Sequence, residues 1–195
     1  MIKNYHRLNN ETFLEYLVGE ITMIDVEIKA KYEDHSRVRN ILKKKNALFG
    51  GEEHQVDVYF ISPEGRLKLR KGSTESILVY YIRDNIKGIK PSEYFLYKTT
   101  EPEKLEQLLR IALGELVTVE KKREVYFIDN IKFNIDDVEG LGKFVEIEAI
   151  TTNPDEIEHM DEIVRSYVKL FDIKEIDIQS HSYSDLLLEK IKEKS

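Results

Sequence analysis

The sequence predicts an α+β fold in which helices pack outside a large antiparallel sheet or barrel. Two observations support it: many short segments alternate between apolar and polar residues, and amphipathic helical segments are interspersed among them. The stretch MIDVEIKAK, residues 23–31, shows the alternation clearly. Its apolar residues from Ile24 to Ala30 share one face of an extended strand, and its ionisable residues from Asp25 to Lys31 share the other.

The same two periodicities assign the remaining elements. Pro102 is tolerated in the first turn of a helix and Gly114 ends it, which bounds one helix directly. Strands are predicted at residues 23–31, 52–61, 66–71, 76–84, 92–100, 116–128, 131–138 and 143–151. Helices are predicted at residues 33–46, 102–113, 153–171 and 182–194, with a further short helix within residues 9–20.

A chain of 195 residues is long enough for one domain with a substantial core. The first predicted strand begins beside Met23, and the residues before it follow a different pattern. We therefore expect an N-terminal extension over residues 1–22, a single domain over residues 23–190 and a short tail over residues 191–195.

Composition excludes several classes of protein. With 41% hydrophobic and 34% charged residues, the chain is typical of folded, water-soluble proteins. No apolar run reaches the roughly 18 to 20 residues that span a bilayer, and Glu11, Glu15 and Glu20 interrupt the pattern of a signal peptide. Cysteine is absent, which excludes disulfides and thiolate chemistry. We expect a cytoplasmic protein with no membrane partner, and the net charge of −7 argues against a nucleic-acid partner.

Charged residues recur on one face of the predicted strands and separate by sign. In the simplest interpretation, each charged face is the solvated side of an open sheet. The separation by sign, and the helices available to cover the apolar faces, instead favour a barrel with the charged face inward. The basic positions are Arg66, Lys68, Arg70, Lys121 and Arg123, and the acidic positions are Asp136, Glu146 and Glu148.

Such an interior indicates a chemistry. Lysines and arginines that converge on one point repel each other unless a polyanion lies between them, and arginine offers bidentate geometry to phosphate oxygens. Carboxylates beside a phosphate site become favourable when a divalent cation bridges them, and carboxylates with phosphates are the ligands that Mg²⁺ or Mn²⁺ prefers. The pattern therefore predicts metal-dependent handling of a polyphosphate or nucleotide.

Four stretches, DVEIKAK, LKLR, VEKKREVYF and FNIDDVEGLGKFVEIEA, together resemble the CYTH family, the triphosphate tunnel metalloenzymes. The family's opening strand has the form Glu-x-Glu-x-Lys, and residues 136–148 match its Asp-x-Val-x-Gly-Leu-Gly-x-Phe-x-Glu-x-Glu arrangement. The resemblance extends over residues 23–190. The segments YIRDNIKGIKPSEY and SYSDLLLEK further resemble the class IV adenylyl cyclase-like branch.

The resemblance implies an antiparallel, eight-stranded barrel, or tunnel, that binds a triphosphate through basic walls with Mg²⁺ or Mn²⁺ at its acidic side. The metal-side carboxylates would be those of Asp25, Glu27, Asp136, Glu146 and Glu148. The phosphate contacts would come from Lys29, Lys31, Arg66, Lys68, Arg70, Arg83, Lys121 and Arg123, with Lys90 and Lys98 as additional candidates.

Three of these positions carry further expectations. The family's first glutamate is replaced by Asp25, whose shorter side chain allows a direct metal contact, a water-mediated one or none. The resemblance makes Lys29 a candidate for activating water, and Glu148 a catalytic residue through the metal.

The first function that follows is hydrolysis of inorganic tripolyphosphate or an organic triphosphate. A class IV adenylyl cyclase, which converts ATP to cyclic AMP and pyrophosphate, is the second. A non-catalytic protein that binds polyphosphate or nucleotide is the third. In each case the partner is a small-molecule triphosphate or nucleotide, and the resemblance is compatible with a homodimer.

Overall fold

The computed structural model describes residues 24–73, 75–82, 90–91 and 93–193. The strands are β1 (Ile24–Lys31), β2 (Leu48–Phe60), β3 (Arg66–Gly72), β4 (Ser76–Ile82), β5 (Lys90–Pro91), β6 (Glu93–Lys98), β7 (Glu115–Ile128), β8 (Ile131–Val138), β9 (Gly142–Thr151) and β10 (Ile178–Gln179). The α-helices are α1 (His35–Lys44), α2 (Pro102–Leu113), α3 (Ile157–Phe171) and α4 (Tyr183–Glu193). In this part of the chain no helix is long and apolar enough to cross a membrane.

One antiparallel sheet contains all the described strands, which confirms the predicted α+β architecture. Its hydrogen-bonded order is β10-β1-β9-β8-β7-β2-β3-β4-β6, and β5 pairs with β1 beside this path. The long pairs run through the middle of the order, where β7 joins β8 on one side and β2 on the other. The residues of β1, β9, β8, β7, β2 and β3 are therefore held in a fixed register across the sheet.

The sheet is strongly curved but does not close into the eight-stranded barrel that the resemblance implied. Within the described residues, β10 and β6 end the hydrogen-bonded order and do not pair with each other. However, β5 pairs with β1 and β6 pairs with β4, although a single residue separates β5 from β6. Because one residue spans at most about 7 Å between its neighbours, the two ends of the sheet lie close together. Both described residues of β5 pair with β1.

The apolar face of the sheet lies outward under helices, as the sequence predicts. Apolar residues of β1, β8 and β9 form the largest core with Val38 and Leu42 of α1 and with Met160, Val164 and Phe171 of α3. A second core packs Leu109 of α2 against β2 and β3. The helices thus remove the apolar face from water, and the charged face is left on the inside of the curve.

Most predicted elements are confirmed, with small differences at their ends. The helix predicted from residue 153 begins as a 3₁₀ turn at Pro154–Glu156 and becomes α-helical at Ile157. Gly114 ends α2 with φ of 79°, a conformation that favours glycine. The strands β5 and β10 are absent from the sequence prediction, since two-residue strands carry no periodicity. The predicted helix within residues 9–20 lies outside the described residues.

Candidate functional site

The charged face encloses a buried interior, even though helices cover only the opposite face. Asp57 is 1% exposed and Asp136 is 0% exposed, so these two carboxylates are removed from water. Curvature of the sheet explains the burial, because the charged strands then face one another. The other buried ionisable residues on this inner face are Glu27, Lys29, Lys121, Arg123, Glu146 and Glu148.

One part of the interior, the basic cluster, consists of three cations around Asp57. Arg70 on β3 donates from Nε to Asp57 Oδ1 at 2.7 Å and from Nη2 to Oδ2 at 2.9 Å. Lys68, also on β3, and Lys121 on β7 both donate to Asp57 Oδ2, at 3.0 and 3.2 Å. The three cations converge because β2 lies between β3 and β7 and alternate residues of each strand share a face.

The charge balance of the basic cluster shifts its pKa values. Burial is the largest influence on the pKa of Lys121 and lowers it to about 7; Asp57 opposes this shift, whereas Arg70 and the other nearby cations add to it. Burial also lowers the pKa of Lys68, again reinforced by Arg70. Burial by itself would raise the pKa of Asp57, but the three cations outweigh it and hold that pKa well below its usual range. One carboxylate therefore stays ionised while it is shared by three cations.

A second part, the acidic cluster, is formed by Glu27, Asp136, Glu146 and Glu148. Arg123 on β7 donates to both oxygens of Asp136, at 2.7 and 2.5 Å, and to Glu146 Oε2 at 2.5 Å. Burial would raise the pKa of Glu146, yet the charges of Arg123 and Lys29 hold it well below its usual range. Glu146 is thus ionised, and Arg123 orients it together with Asp136.

Strand register brings Glu27 and Glu148 directly opposite each other on β1 and β9. Like charges in such a pair repel unless a cation compensates them. Lys29 Nζ lies 3.5 Å from Glu27 Oε1 and 3.3 Å from Glu146 Oε1. Lys132 Nζ lies 3.1 Å from Glu148 Oε2. The pairing of carboxylates across two strands makes this side of the interior suited to a cation.

The acidic cluster has the donor set that a hard divalent cation requires. As they stand, no three described histidine or acidic side chains converge closely enough to hold a metal ion. Asn134 supplies a further oxygen: its Nδ2 donates to Glu148 Oε1 at 2.5 Å, while its buried Oδ1 accepts no hydrogen bond from the described residues. Carboxylate and amide oxygens are the ligand types that Mg²⁺ and Mn²⁺ prefer, so these side chains fit such an ion in their chemistry but not in their present spacing.

One end of the interior is closed by the start of α4. The Tyr183 hydroxyl donates to Asp136 Oδ2 at 2.8 Å, and its ring packs edge-on against Phe144 with centroids 5.0 Å apart. Arg66 on β3 donates to Asp185 of α4 at 2.8 Å. The helix is therefore joined to the inner face through both an acidic residue and a basic one.

The structure brings most of the predicted site residues together. Lys29, Lys68, Arg70, Lys121, Arg123, Glu27, Asp136, Glu146 and Glu148 all lie on the inner face. Arg123 lies among the carboxylates, and Asp136 is occupied on both oxygens by Arg123. A metal at Asp136 would therefore have to displace an arginine.

Four of the predicted site residues either lie apart from the two clusters or have side chains outside the part of the chain that the structure describes. Lys31 is exposed at the end of β1, and Arg66 is paired with α4. The predicted phosphate contact at Arg83 falls outside the described residues, and of Asp25 only the backbone in β1 is described. Of the additional candidates, Lys98 pairs with Glu75 at 3.1 Å.

Sequence reasoning missed Asp57, Asn134 and Tyr183. Asp57 had a detectable signal, because it alternates with the apolar residues Val56 and Val58 in a predicted strand. Asn134 shares the parity of Asp136, which also placed it on the charged face. Nothing in the sequence pattern shows that Tyr183, at the start of a helix, enters the sheet's interior.

Fold and site together define a class of protein in which a curved antiparallel sheet encloses a charged interior. The CYTH domain family model matches residues 23–183, and the chain belongs to the CYTH domain family. A relative from Methanocaldococcus jannaschii, named "Putative adenylate cyclase MJ0240", is 31% identical over 172 residues, which cover 84% of this chain and 98% of the relative.

Two solved structures show the same fold. The PH1012 protein from Pyrococcus horikoshii OT3 is 26% identical, with a TM-score of 0.72 over 83% of this chain and 98% of its own. The Hippeastrum protein HpAC1 is 15% identical, with a TM-score of 0.58 over 84% of this chain and 94% of its own. The architecture described above is therefore that of known CYTH-like structures.

Proposed function

We propose that this protein hydrolyses a triphosphate, either inorganic tripolyphosphate or an organic triphosphate, with Mg²⁺ or Mn²⁺. The observation that carries the proposal is the basic cluster, in which Lys68, Arg70 and Lys121 surround the single carboxylate of Asp57. One buried cation, Lys121, and two partly buried ones around a single anion leave an excess of positive charge that a polyanion would neutralise. A triphosphate supplies that charge in a form that arginine and lysine bind well.

The acidic cluster supports the second half of the proposal. Glu27, Glu146, Glu148 and Asn134 would hold the metal, on the side of the interior opposite in charge to the basic cluster. When bound, the ion would neutralise phosphate charge and lower the pKa of a coordinated water. Separate sites for cation and anion on one inner face are what a metal-dependent phosphate reaction needs.

The chain's own residues have distinct proposed tasks. Lys68, Arg70 and Lys121 bind phosphate oxygens and stabilise the charge that develops on the transferred group. Lys29 Nζ lies 3.5 Å from Glu27 Oε1 and 3.3 Å from Glu146 Oε1, so its amine is held beside the carboxylates proposed to bind the metal. We therefore retain Lys29 as the candidate for handling the proton of the attacking water.

Adenylyl cyclase activity is the alternative, and the name of the Methanocaldococcus relative favours it. In that reaction the 3′-hydroxyl of ATP attacks the α-phosphorus and pyrophosphate leaves. The same basic cluster would bind the leaving pyrophosphate, but adenine and ribose would also need a binding surface. The Hippeastrum protein of similar fold, named a putative adenylyl cyclase, has a dominant triphosphatase activity.

Product analysis separates these functions. The purified protein is incubated with Mg²⁺ or Mn²⁺ and with tripolyphosphate, ATP or thiamine triphosphate in turn. We expect orthophosphate, released from tripolyphosphate or thiamine triphosphate faster than from ATP. Cyclic AMP with pyrophosphate from ATP would overturn the proposal in favour of the cyclase. Binding of all three compounds without any product would indicate a non-catalytic triphosphate-binding protein.

A further inference from the structure

Tyr183 is the first residue of α4, yet its side chain lies inside the charged interior. It is 6% exposed, and its ring packs against Phe144 of β9. Its hydroxyl donates to Asp136, and burial raises its pKa well above the usual range, so the hydroxyl stays protonated and remains a donor. The tyrosine is thus fixed at both its ring and its hydroxyl.

The ring of Tyr183 meets two lysines that belong to different clusters. Lys29 Nζ, from the acidic cluster, lies 4.5 Å from the ring centroid. Lys121 Nζ, from the basic cluster, lies 5.7 Å from it. An aromatic face attracts ammonium groups without accepting their hydrogens in the way that a carboxylate does. The ring is therefore a contact that both ammonium groups make in addition to their carboxylate partners, which are Glu27 and Glu146 for Lys29 and Asp57 for Lys121.

We propose that Tyr183 is a positioning residue for triphosphate binding, acting through the ammonium groups of Lys29 and Lys121. This inference rests on the proposed function, because it assigns the two lysines to the triphosphate. The ring holds the two ammonium groups in place before the substrate arrives. Preorganised cations bind an anion more tightly, since less side-chain freedom is lost on binding.

The placement of Tyr183 is itself fixed by the start of α4. Ser182 Oγ accepts from the backbone N–H of Asp185 at 3.2 Å, and Asp185 Oδ2 accepts from the backbone N–H of Ser182 at 3.1 Å. These reciprocal bonds form a capping box. Asp185 also pairs with Arg66 of β3. The helix start is therefore tied to the sheet independently of the tyrosine, which lets Tyr183 be changed without releasing α4.

Three variants test the role of the ring. Tyr183→Phe keeps the ring and removes the hydroxyl, whereas Tyr183→Leu removes the ring. Leu187→Ala is the matched control. Leu187 packs in the same apolar cluster as Tyr183, and its aliphatic side chain has no ring to contact the lysines. Calorimetry measures tripolyphosphate affinity without metal, steady-state kinetics with Mg²⁺ separates kcat from KM, and urea unfolding measures the stability of each variant.

We expect Tyr183→Leu to weaken tripolyphosphate binding about tenfold relative to Leu187→Ala, and Tyr183→Phe to bind within about twofold of the original protein. Equal losses for Tyr183→Leu and Leu187→Ala at equal loss of stability would overturn the proposal, because Tyr183 would then only support the core. The proposal would also be overturned if Tyr183→Phe bound tripolyphosphate as weakly as Tyr183→Leu. If the unmodified protein binds no tripolyphosphate, the proposed function fails instead.

Discussion

The basic and acidic clusters lie on the same inner face but have opposite charge balances. In the basic cluster, Lys68, Arg70 and Lys121 share one carboxylate. In the acidic cluster, four carboxylates are matched by three cations of the described chain, Lys29, Arg123 and Lys132. The basic cluster therefore has more positive than negative charge and can accept an anion. The acidic cluster has more negative than positive charge and can accept a further cation. This difference supports the proposal that a polyanion and a metal ion bind on the same inner face.

The two clusters also differ in how they are neutralised. Breaking a buried ion pair by removing one partner costs far more than the pair itself contributes, because the remaining charge has no compensation. In the basic cluster a single residue, Asp57, compensates the charge of three cations. In the acidic cluster Arg123 bridges Asp136 and Glu146, while Lys29 and Asn134 add further contacts. Stability should thus be most sensitive to Asp57.

Removing Asp57 should give the largest effect. Asp57→Ala removes the shared carboxylate from one buried cation, Lys121, and from two partly buried ones, and we expect the free energy of unfolding to fall by about 3–5 kcal/mol. Urea unfolding followed by circular dichroism measures this loss. Tripolyphosphate should restore much of it, because the ligand replaces the missing anion. The control is Asp137→Ala, an exposed carboxylate of β8; an equal loss there would contradict the role of Asp57.

Changing the acidic cluster should affect activity more than stability. Glu148→Gln keeps the shape of the side chain and its bond from Asn134 but removes a metal-binding charge. We expect turnover to fall by about 100-fold or more while the melting temperature stays near its original value. Kinetics at varied Mn²⁺ and thermal unfolding measure the two. The exposed Glu139→Gln should change neither, and unchanged turnover in Glu148→Gln would remove that residue from the metal site.

The basic cluster should make triphosphate binding depend on pH near neutrality. Burial lowers the pKa of Lys121 to about 7 from an ordinary value near 10.5, with Arg70 adding to the effect. Above pH 7 the free protein holds Lys121 mostly neutral, and a bound triphosphate would draw the proton back. Tripolyphosphate affinity should then fall as pH rises through 7, by at most about tenfold per pH unit.

Calorimetry in buffers of different ionisation enthalpy measures the expected proton uptake on binding. Lys121→Arg, whose guanidinium keeps its charge, controls for ionisation of the ligand and should flatten the profile. The stability of the free protein should change in the opposite sense. Between about pH 7 and 10.5 only the unfolded lysine keeps its proton, so Lys121 makes unfolding harder as pH rises. An identical profile for the arginine variant would contradict this account.

The smallest effect should come from Lys31, which marks the limit of the interior. Lys31 shares the parity of Lys29 on β1 but is exposed. We expect Lys31→Ala to change tripolyphosphate affinity by about twofold or less, since exposed charges are screened by salt. Titration at low and high salt measures this. A loss comparable to that expected from a basic-cluster residue would extend the binding site to the end of β1.

The sequence predicted much of this site because strand periodicity is a local property. Alternation at MIDVEIKAK placed Glu27 and Lys29 on one face, and the pattern at 143–151 did the same for Glu146 and Glu148. The sign separation of these faces predicted an acidic and a basic side. The structure places both sides on one buried face, in agreement with the inward orientation that the covering helices implied.

The remaining features depend on which elements become neighbours in the folded chain. Asp57 shares three cations only because β2 lies between β3 and β7, an order with a long crossover in the sequence. Arg123 lies among carboxylates because β8 and β9 follow β7 in the sheet. Tyr183 reaches the lysines because α4 docks against the sheet.

The sequence by itself therefore determined which side chains share a face and what charge each face carries, since these follow from local backbone geometry. Only the tertiary structure decided the open sheet, the ion partners of Asp57 and Arg123, and the entry of Tyr183 into the interior. These depend on contacts between residues distant in sequence, such as Asp57 with Lys121 and Tyr183 with Asp136. The periodicity within one strand or helix does not specify which other elements pack against it.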